Sequence, residues 1–594
     1  MTGRVWGLVA ASLLSLPGAG HAQYLGSALD SIFDAVDEGR PAPAVAVAVL
    51  HRGRMIYRRA AGYADLERMV PAGPDTRFDW ASVAKQFTGF ALAQLAEAGA
   101  LSPEDPARRF IPELDLSGAD VTLDQLLRHT SGLEDSDGLL ALAGWRRGDA
   151  VHDHDVLRVL LDQRHLRWAP GEFEGYGNGG YALLAEIVSR ISGMTFPAYA
   201  DSAVFRRLGM ASASFPGSPD AVVPHRALPY VRGADGRFEA SDVDTYLGAG
   251  GLVATVDDMM RWAAHLLLPA MDGGATARIT QPGRLASGEP ISYGWGIGLG
   301  EYRGRRTWSH GGSGVATESY FEVFPDLDFA VAVASASPGI VNPARVARLA
   351  ADLVLRDELE PPRQATAGPR MIMLTDSMLR TPPAESEGVR VPAERLRGAA
   401  GTYRFEDGSV LVVRTEGGKL EFARDGSPPF IPLFPMPDGS FVMMPLRDGY
   451  TFAPGPDGVA DRLEVVRARE GARTSRDVGT RVALPPFDAA SAAPYVGWYV
   501  SDELHAVYQV VLGPEGLELR HARHGRMPLI PTGIGEGFGV DGDRVVAATF
   551  SRGPEGVATG MELRAKSWGA TSYFRRIAPG SSGVHRDAGN GGRP

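Results

Sequence analysis

The chain contains 594 residues, and at roughly 150 residues per domain this length suggests about four units and excludes a single small module. Its composition of 44% hydrophobic and 22% charged residues is typical of a globular protein and argues against a disordered chain or a multispanning membrane protein. A formal net charge of −11 argues against a nucleic-acid partner, because phosphate binding requires a basic surface.

The first residues have the pattern of an export signal, predicted at 1–22. Arg4 precedes the apolar stretch Val5–Leu16, and the small residues Gly20 and Ala22 stand where a signal peptidase reads the chain. We expect cleavage after Ala22 and a mature protein in the periplasm or outside the cell. The alternative, a retained membrane helix, is weaker because about 12 apolar residues fall short of the roughly 20 that a span requires.

Residues 23–356 alternate between helical patterns and short apolar runs, as expected for an enzyme-sized α/β or α+β domain. The clearest of these predicted strands and helices are Ala44–Leu50, Phe87–Ala98, Ala182–Ile191, Glu318–Phe324 and Phe329–Ser335. Thr122 and Thr255 each precede a polar residue by three positions and are predicted helix N-caps.

The texture of the sequence changes after residue 356. Residues 357–394 are rich in proline, arginine and small polar residues, which is typical of a linker. Short alternating strands and Gly, Pro and Asp turns then predict two small antiparallel β-barrels, at 395–470 and 490–578. The polar, glycine-rich segment 579–594 is predicted to be a disordered tail.

The two predicted barrels resemble copies of one another. Gly401-Thr-Tyr403 corresponds to Gly497-Trp-Tyr499, at a spacing of 96 residues. Similar spacings relate Leu420 to Leu517, Ile431-Pro432 to Ile530-Pro531, Phe441 to Phe538 and Gly458 to Gly556. The sequence therefore predicts a tandem repeat of one small fold.

Ser82 and Lys85 form the only Ser-x-x-Lys in the chain and open an apolar helical pattern. Residues i and i+3 share one face of a helix, so the hydroxyl and the ammonium can meet. The chain has no cysteine, which excludes a thiolate nucleophile, whereas a lysine in an apolar site can activate a serine. Lysine is also scarce, with three among 60 basic residues. The alternative is a chance tetrad.

A second candidate element is Tyr176-x-Asn178, in a glycine-rich loop before the apolar helix. A phenol near an ammonium ionises more readily and can carry a proton between a serine and a leaving group. An amide can orient the lysine and a substrate carbonyl. The alternative is a turn in which both side chains are structural.

A third candidate element is His310-Gly-Gly312-Ser313. The glycines would let a substrate approach the strand edge closely. The backbone N–H groups of Ser313 and of Ser82, at its helix N-terminus, would then stabilise an oxyanion. The alternative is a turn histidine whose hydrogen bonds are satisfied within the protein.

In this order, Ser82-x-x-Lys85, Tyr176-x-Asn178 and His310-x-Gly312 resemble the three motifs of the penicillin-recognising serine hydrolases. The resemblance covers about residues 28–356 and is closest to the class C β-lactamase, D-aminopeptidase and family VIII esterase branch. The supporting phrases are LDQLLRHTSGL from Leu123, NGGYALLAEIVSRISG from Asn178, GAGGLVATVDDMMRW from Gly248 and YGWGIGL from Tyr293. It implies an α+β fold, with an antiparallel sheet flanked by helices beside an all-helical lobe. In bacterial D-aminopeptidases two eight-stranded barrels follow such a domain.

The resemblance also implies roles for the motif residues. Ser82 would be the acylated nucleophile, Lys85 and Tyr176 the general-base pair, and Asn178, His310, Gly312 and Ser313 would bind the substrate. His310 stands where β-lactamases and DD-carboxypeptidases usually have lysine, and His-x-Gly is similar to the third motif of the D-aminopeptidases. Because histidine is mostly neutral near pH 7, we expect β-lactams and carboxylate-terminated substrates to be disfavoured.

The motifs predict an exported serine hydrolase that forms an acyl-enzyme on Ser82, and the resemblance implies that it cleaves small amides or peptides with a D-residue. A carboxylesterase with the same site is one alternative, and a penicillin-binding sensor that does not turn over is another. We expect no cofactor and no metal, since His-Glu-x-x-His is missing and His152-Asp-His154 is interpreted as a solvated turn. The expected partner is a small molecule or short peptide. The oligomeric state stays open, with a homodimer as one alternative.

Overall fold

The structure is a computed structural model that describes positions 27, 29, 30, 33 and 36 and residues 41–578 apart from gaps. The gaps are 147, 234–235, 242–245, 269–271, 362–381, 387, 407–409, 425–429, 445–447, 468–474, 483–487, 515, 532–535, 541 and 567–568. The predicted signal peptide, residues 362–381 of the predicted linker and the predicted tail at 579–594 therefore lie outside the described residues.

The described residues separate into two compact units, which fall within the following ranges of the chain. The first comprises Met1–Leu133, Ala150–Leu157 and Leu166–Pro362. The second comprises Glu134–Asp149, Arg158–His165 and Arg363–Pro594. Residues 134–149 and 158–165, which lie within the sequence predicted as one catalytic domain, thus belong to the same compact unit as the two predicted barrels.

Helices lie mainly in the first 360 residues of the chain. Within the described residues they are α1 Lys85–Glu97, α2 Leu123–Leu127, α3 Ser136–Leu142, α4 Asp153–Leu161, α5 Gly179–Ser192, α6 Phe196–Ala200, α7 Arg206–Leu208, α8 Val256–Leu267, α9 Ala275–Ile279, α10 Pro343–Val354, α11 Ala393–Ala399 and α12 Ala489–Ala492. Thr122 and Thr255 form capping boxes with Gln125 and Asp258, as the sequence predicted. Among the described helices, none combines the length and the hydropathy needed to cross a membrane.

An antiparallel sheet forms the centre of the first unit. The strands of this unit are β1 Val45–His51, β2 Arg54–Ala61, β3 Tyr63–Asp65, β4 Val70–Pro71, β5 Phe78–Asp79, β6 Tyr230–Arg232, β7 Phe238–Ala240, β8 Val253–Ala254, β9 Gly283–Arg284, β10 Pro290–Ile291, β11 Gly298–Tyr302, β12 Arg305–Ser313, β13 Glu318–Phe324 and β14 Phe329–Ser335. The central sheet has the order β11-β12-β13-β14-β1-β2. β1 and β14 are its most buried strands, because their continuous apolar runs suit a sheet covered on both faces. The α+β fold that the resemblance implied is confirmed.

The Ser-x-x-Lys motif begins in a 3-10 turn and ends at the first residue of an α-helix, whereas the sequence predicted a helix that contains both side chains. The turn spans Ala81–Ala84, and α1 begins at Lys85. Side chains at i and i+3 eclipse one another in a 3-10 turn, which brings Ser82 and Lys85 together more directly than an α-helix does. Ala81, just before the serine, has a φ of 45°, a left-handed conformation that is strained for a residue with a Cβ atom.

Two closed eight-stranded barrels form the larger part of the second unit, which confirms the predicted barrels. The strands of the first barrel are β15 Gly401–Arg404, β16 Val410–Glu416, β17 Lys419–Arg424, β18 Ile431–Pro435, β19 Phe441–Met443, β20 Asp448–Pro454, β21 Ala460–Arg467 and β22 Ser475–Val482. The strands of the second barrel are β23 Gly497–Ser501, β24 Ala506–Gly513, β25 Gly516–His521, β26 Gly525–Pro531, β27 Gly537–Val540, β28 Val545–Arg552, β29 Ala558–Ala565 and β30 Thr571–Ile577. β22 lies after residue 470, where we predicted the end of the first barrel.

Both barrels close in the same way, which supports the predicted repeat. Tyr403 of β15 pairs with Arg481 of β22, and Tyr499 of β23 pairs with Arg576 of β30. Each tyrosine hydroxyl donates to the carbonyl four residues earlier, at 2.7 and 2.6 Å. Each arginine donates to three backbone carbonyls around the closing seam. The seam is therefore fixed by one pair of side chains in each copy.

The second barrel also binds the segment Glu134–Asp149 within the second unit. The Tyr508 hydroxyl donates to the carbonyl of Leu142 at 3.1 Å, and His524 Nε2 donates to the carbonyl of Ala141 at 2.8 Å. Arg523 pairs with Asp149 at 2.7 Å. These contacts attach α3 to the barrel although α3 lies more than 350 residues earlier in the chain.

Candidate active site

Lys85 is fully buried, and three hydrogen bonds fix its ammonium. Its Nζ donates to Ser82 Oγ at 3.1 Å, to Asn178 Oδ1 at 2.8 Å and to the carbonyl of Ala249 at 2.8 Å. Three acceptors match the three N–H bonds of an ammonium, which offsets the cost of burying its charge. The structure thus brings together the first and second sequence motifs, which are more than 90 residues apart.

Asn178 stands at the N-cap of α5, where an asparagine side chain usually accepts a hydrogen bond from the first turn. Its side chain makes no capping hydrogen bond and accepts from Lys85 instead. α5 therefore begins without a side-chain cap, and the side-chain amide of Asn178 binds Lys85 instead.

Tyr176 packs against the lysine and against other aromatic rings. Lys85 Nζ lies 4.8 Å from the centre of the Tyr176 ring. The rings of His129 and His310 lie 4.3 and 6.1 Å from it, centre to centre. The third sequence motif thus meets the first two at Tyr176.

His310 is neutral, and both of its ring nitrogens form hydrogen bonds within the protein. Its Nδ1 lies 2.6 Å from the carbonyl of Gly311, which can only accept, so Nδ1 carries the proton. Its Nε2 then accepts from the Tyr293 hydroxyl at 2.8 Å. Burial, with a smaller contribution from the charge of Lys85, lowers the pKa of His310 to about 3. The ring therefore supplies no cation at neutral pH.

The structure shows a packing requirement for glycine at position 312 that the sequence did not predict. A Cβ atom at this position would lie 2.1 Å from Ser319 Oγ and 2.4 Å from the carbonyl oxygen of Trp80. The glycine thus allows β12 to approach the turn that carries Ser82, and its predicted role in admitting a substrate stays a prediction. Gly311 has room for a side chain, with Tyr320 Cδ2 at 3.8 Å. Ser313 ends β12 and is exposed.

Sequence reasoning missed three groups in this site. They are His129, Tyr293 and the backbone carbonyl of Ala249. Each lies in one of the supporting phrases quoted above, so those phrases contain the signal that would have found them. Tyr293 binds His310, Ala249 binds Lys85, and His129 packs on Tyr176.

Metal-binding groups of side chains are missing from the described residues around the site. Within the described part of the chain, no three His, Cys, Asp or Glu side chains converge on one point. His152 and His154 stack on one another at 5.5 Å where α4 begins, and His154 Nε2 lies 3.4 Å from Asp155.

The model of the Beta-lactamase family matches residues 29–356, more than half of the chain. D-aminopeptidases of Gluconobacter oxydans and Cereibacter sphaeroides are 29% identical over 288 residues and 28% identical over 290 residues. These matches cover 48% of this chain and 54% and 55% of the relatives, so the chain spans about half the length of the curated relatives it matches.

Two solved structures share the fold. One is an octameric penicillin-binding protein homologue from Pyrococcus abyssi, with a TM-score of 0.51, 21% identity and coverage of 76% of this chain and 99% of that one. The other is SurE, with a TM-score of 0.50, 21% identity and coverage of 78% and 100%. The family match confirms the resemblance that the three motifs indicated, and the chain belongs to the beta-lactamase family.

Proposed function

We propose that this protein is an exported serine hydrolase that acylates Ser82 and cleaves small amides or peptides bearing a D-residue with a free amine. The observation that carries the proposal is the 3.1 Å hydrogen bond between buried Lys85 and Ser82. The D-aminopeptidase relatives support the choice of substrate. Export rests on the signal-like sequence at 1–22.

In the first half of the reaction, Ser82 Oγ attacks the amide carbonyl and its proton passes to the Lys85 and Tyr176 pair. The ammonium of Lys85 favours removal of a proton from a neighbouring oxygen because it stabilises the resulting negative charge. The backbone N–H groups of Ser82 and Ser313 hold the oxyanion. The C–N bond then breaks, and the leaving amine takes the proton.

In the second half, a water molecule attacks the acyl-enzyme and gives its proton to the same pair. The bond between Ser82 Oγ and the acyl carbon breaks, and the serine recovers the proton. The products are the free acid and the regenerated hydroxyl, so atoms and protons balance.

The electrostatics of the site support a substrate with an amine and not one with a carboxylate. His310 is neutral, and the ammonium of Lys85 is bonded to three protein acceptors. Glu174, two residues before Tyr176, is accessible to solvent, yet partial desolvation raises its pKa above the ordinary value.

The proposal is tested by comparing turnover of four chromogenic compounds by the purified protein. They are the p-nitroanilides of D-alanine, L-alanine and N-acetyl-D-alanine, and p-nitrophenyl acetate. We expect the free D-alanine anilide to be the best amide substrate. Turnover of the ester alone would contradict the peptidase assignment and identify a carboxylesterase, and a stable adduct without turnover would identify a sensor.

Two lysine variants separate a catalytic effect from a general effect of replacing lysine by methionine. Lys85→Met should lower turnover by about 10²- to 10⁴-fold, the usual contribution of a positioned proton-transfer group. Lys419→Met, at an exposed position of β17, should retain it. Equal turnover by both variants would contradict the mechanism.

A further inference from the structure

His129 lies against Tyr176 but is absent from the three sequence motifs. It is 4% exposed, and its ring packs 4.3 Å from Tyr176, 5.2 Å from Tyr181 and 4.9 Å from Tyr293, centre to centre. These three aromatic contacts restrict the orientation of the imidazole ring. Its orientation and that of Tyr176 are therefore coupled through packing.

Two hydrogen bonds connect His129 to the residues on either side of Tyr176. The backbone N–H of Gly175 donates to the carbonyl of His129 at 2.7 Å. The backbone N–H of Gly177 donates to His129 Nδ1 at 3.4 Å. The backbone before and after the tyrosine is thus held by one residue.

These contacts require an unusual backbone and a single tautomer. His129 has a φ of 60°, in the left-handed region that few residues other than glycine adopt. Because Nδ1 accepts a hydrogen bond, the ring proton lies on Nε2. Burial, followed by the charge of Lys85, lowers the pKa of His129 well below its ordinary value, which keeps the ring neutral and Nδ1 available as an acceptor.

We infer that His129 is a positioning residue: it holds the Gly175–Gly177 backbone and keeps the Tyr176 ring against Lys85, whose Nζ lies 4.8 Å from the ring centre. This inference rests on the proposed function, in which Tyr176 transfers protons. A bulky apolar residue would fill the same space, but it would lack the acceptor for the N–H of Gly177 and would be more strained at a φ of 60°.

His129→Gly tests this role, because glycine adopts the left-handed backbone without strain and leaves a space of the size of an imidazole ring. We expect kcat to fall by about tenfold to a hundredfold, as for a small misplacement of a reacting group, with KM within about threefold. Added imidazole should restore kcat, since it supplies both the ring and the acceptor nitrogen. Added pyrrole, a similar ring without an acceptor nitrogen, should restore much less.

A wild-type kcat in folded His129→Gly would overturn the inference, and so would equal rescue by pyrrole and imidazole. His129→Asn is the second variant, because asparagine tolerates the left-handed backbone and its amide oxygen can accept a hydrogen bond. It should be folded and keep more of kcat than His129→Leu, which has no acceptor. Equal values of kcat in these two variants would also overturn the inference.

The wild-type protein separates failure of this inference from failure of the proposed function. If it neither hydrolyses the anilides or the ester nor reacts with a fluorophosphonate, the proposed function is wrong. If it does react and the His129 variants match it, only the role of His129 is wrong.

Discussion

Asn178 occupies the N-cap of α5, yet its side-chain oxygen accepts a 2.8 Å hydrogen bond from Lys85 Nζ and caps nothing. Asn342 occupies the N-cap of α10 and does accept from the backbone N–H of Arg345, at 3.0 Å. The two asparagines occupy the same position of a helix, but Asn342 caps its helix whereas Asn178 binds Lys85. A cap in this setting contributes about 1 kcal/mol, so α5 begins without stabilisation that α10 has.

Asn178→Asp should therefore impair catalysis. A carboxylate beside Lys85 offsets the positive charge of the ammonium, which then stabilises a negative charge on a neighbouring oxygen less well. We expect kcat/KM at pH 7 to fall at least about tenfold, part of the contribution of general-base catalysis, and the acidic limb of the pH–rate profile to move to higher pH. Asn342→Asp, at an ordinary cap, is the matched control and should leave the profile in place. A profile unchanged by Asn178→Asp would count against the role of the Lys85 charge in proton removal.

Gly312→Ala should destabilise the first unit, because a Cβ atom there would lie within 2.4 Å of two oxygen atoms, Ser319 Oγ and that of the Trp80 carbonyl. Overpacking of this kind costs about 1–3 kcal/mol. Gly311→Ala is the matched control, since its nearest neighbour would be at 3.8 Å. Urea unfolding should show a lower midpoint for the first variant only. Equal midpoints would show that β12 does not depend on this close approach.

Glu174→Gln should reduce the preference for substrates with a free amine. Removing an accessible carboxylate weakens attraction to an ammonium by up to about 1 kcal/mol, which is about two- to fivefold in kcat/KM. The measurement is the ratio of kcat/KM for D-alanine p-nitroanilide to that for its N-acetyl derivative. Glu172→Gln is the control, because Glu172 is also exposed but accepts from the backbone N–H of Ala169 at 3.1 Å. The same ratio in both variants would remove Glu174 from the account of specificity.

Acid should destabilise the second unit through His521. Its ring stacks on Tyr508 at 4.6 Å, and burial, followed by the charges of His524 and Arg523, lowers its pKa to about 4. An unfolded histidine titrates near 6.5, so between about pH 6.5 and 4 the unfolded chain binds the extra proton and the folded state loses stability as the pH falls.

His521→Gln should therefore flatten the decline of the unfolding temperature between pH 7 and 4, when measured by calorimetry. His165→Gln is the control, because the His165 side chain is 78% exposed. If the wild-type protein and His521→Gln lose stability equally over this range, the buried histidine is not responsible for the loss.

Much of the site was accessible to sequence reasoning because its chemistry lies in short motifs. The spacing of Ser82 and Lys85 predicts their contact, and the apolar runs at β1 and β14 predict central strands. The 3-10 turn could not be predicted, since residues distant in the sequence pack against it, among them Gly312 beside the Trp80 carbonyl. The carbonyl of Ala249 was invisible for a related reason, because any residue type supplies a backbone acceptor.

The organisation of the chain was less accessible. Residues 134–149 have local patterns like those of the surrounding sequence, but Tyr508 and His524 hold them in the second unit. Such contacts join positions hundreds of residues apart, and a local hydrophobic pattern cannot predict them. The repeat of the barrels was found because Tyr403 and Tyr499 keep the same place in each copy.

The central claim is that Ser82 is the nucleophile. The most direct measurement is intact-protein mass spectrometry after reaction with a fluorophosphonate, followed by peptide mapping of the adduct. We predict one adduct per chain, located on Ser82, and none in Ser82→Ala. An adduct on another residue, or hydrolysis that persists in Ser82→Ala, would contradict the account.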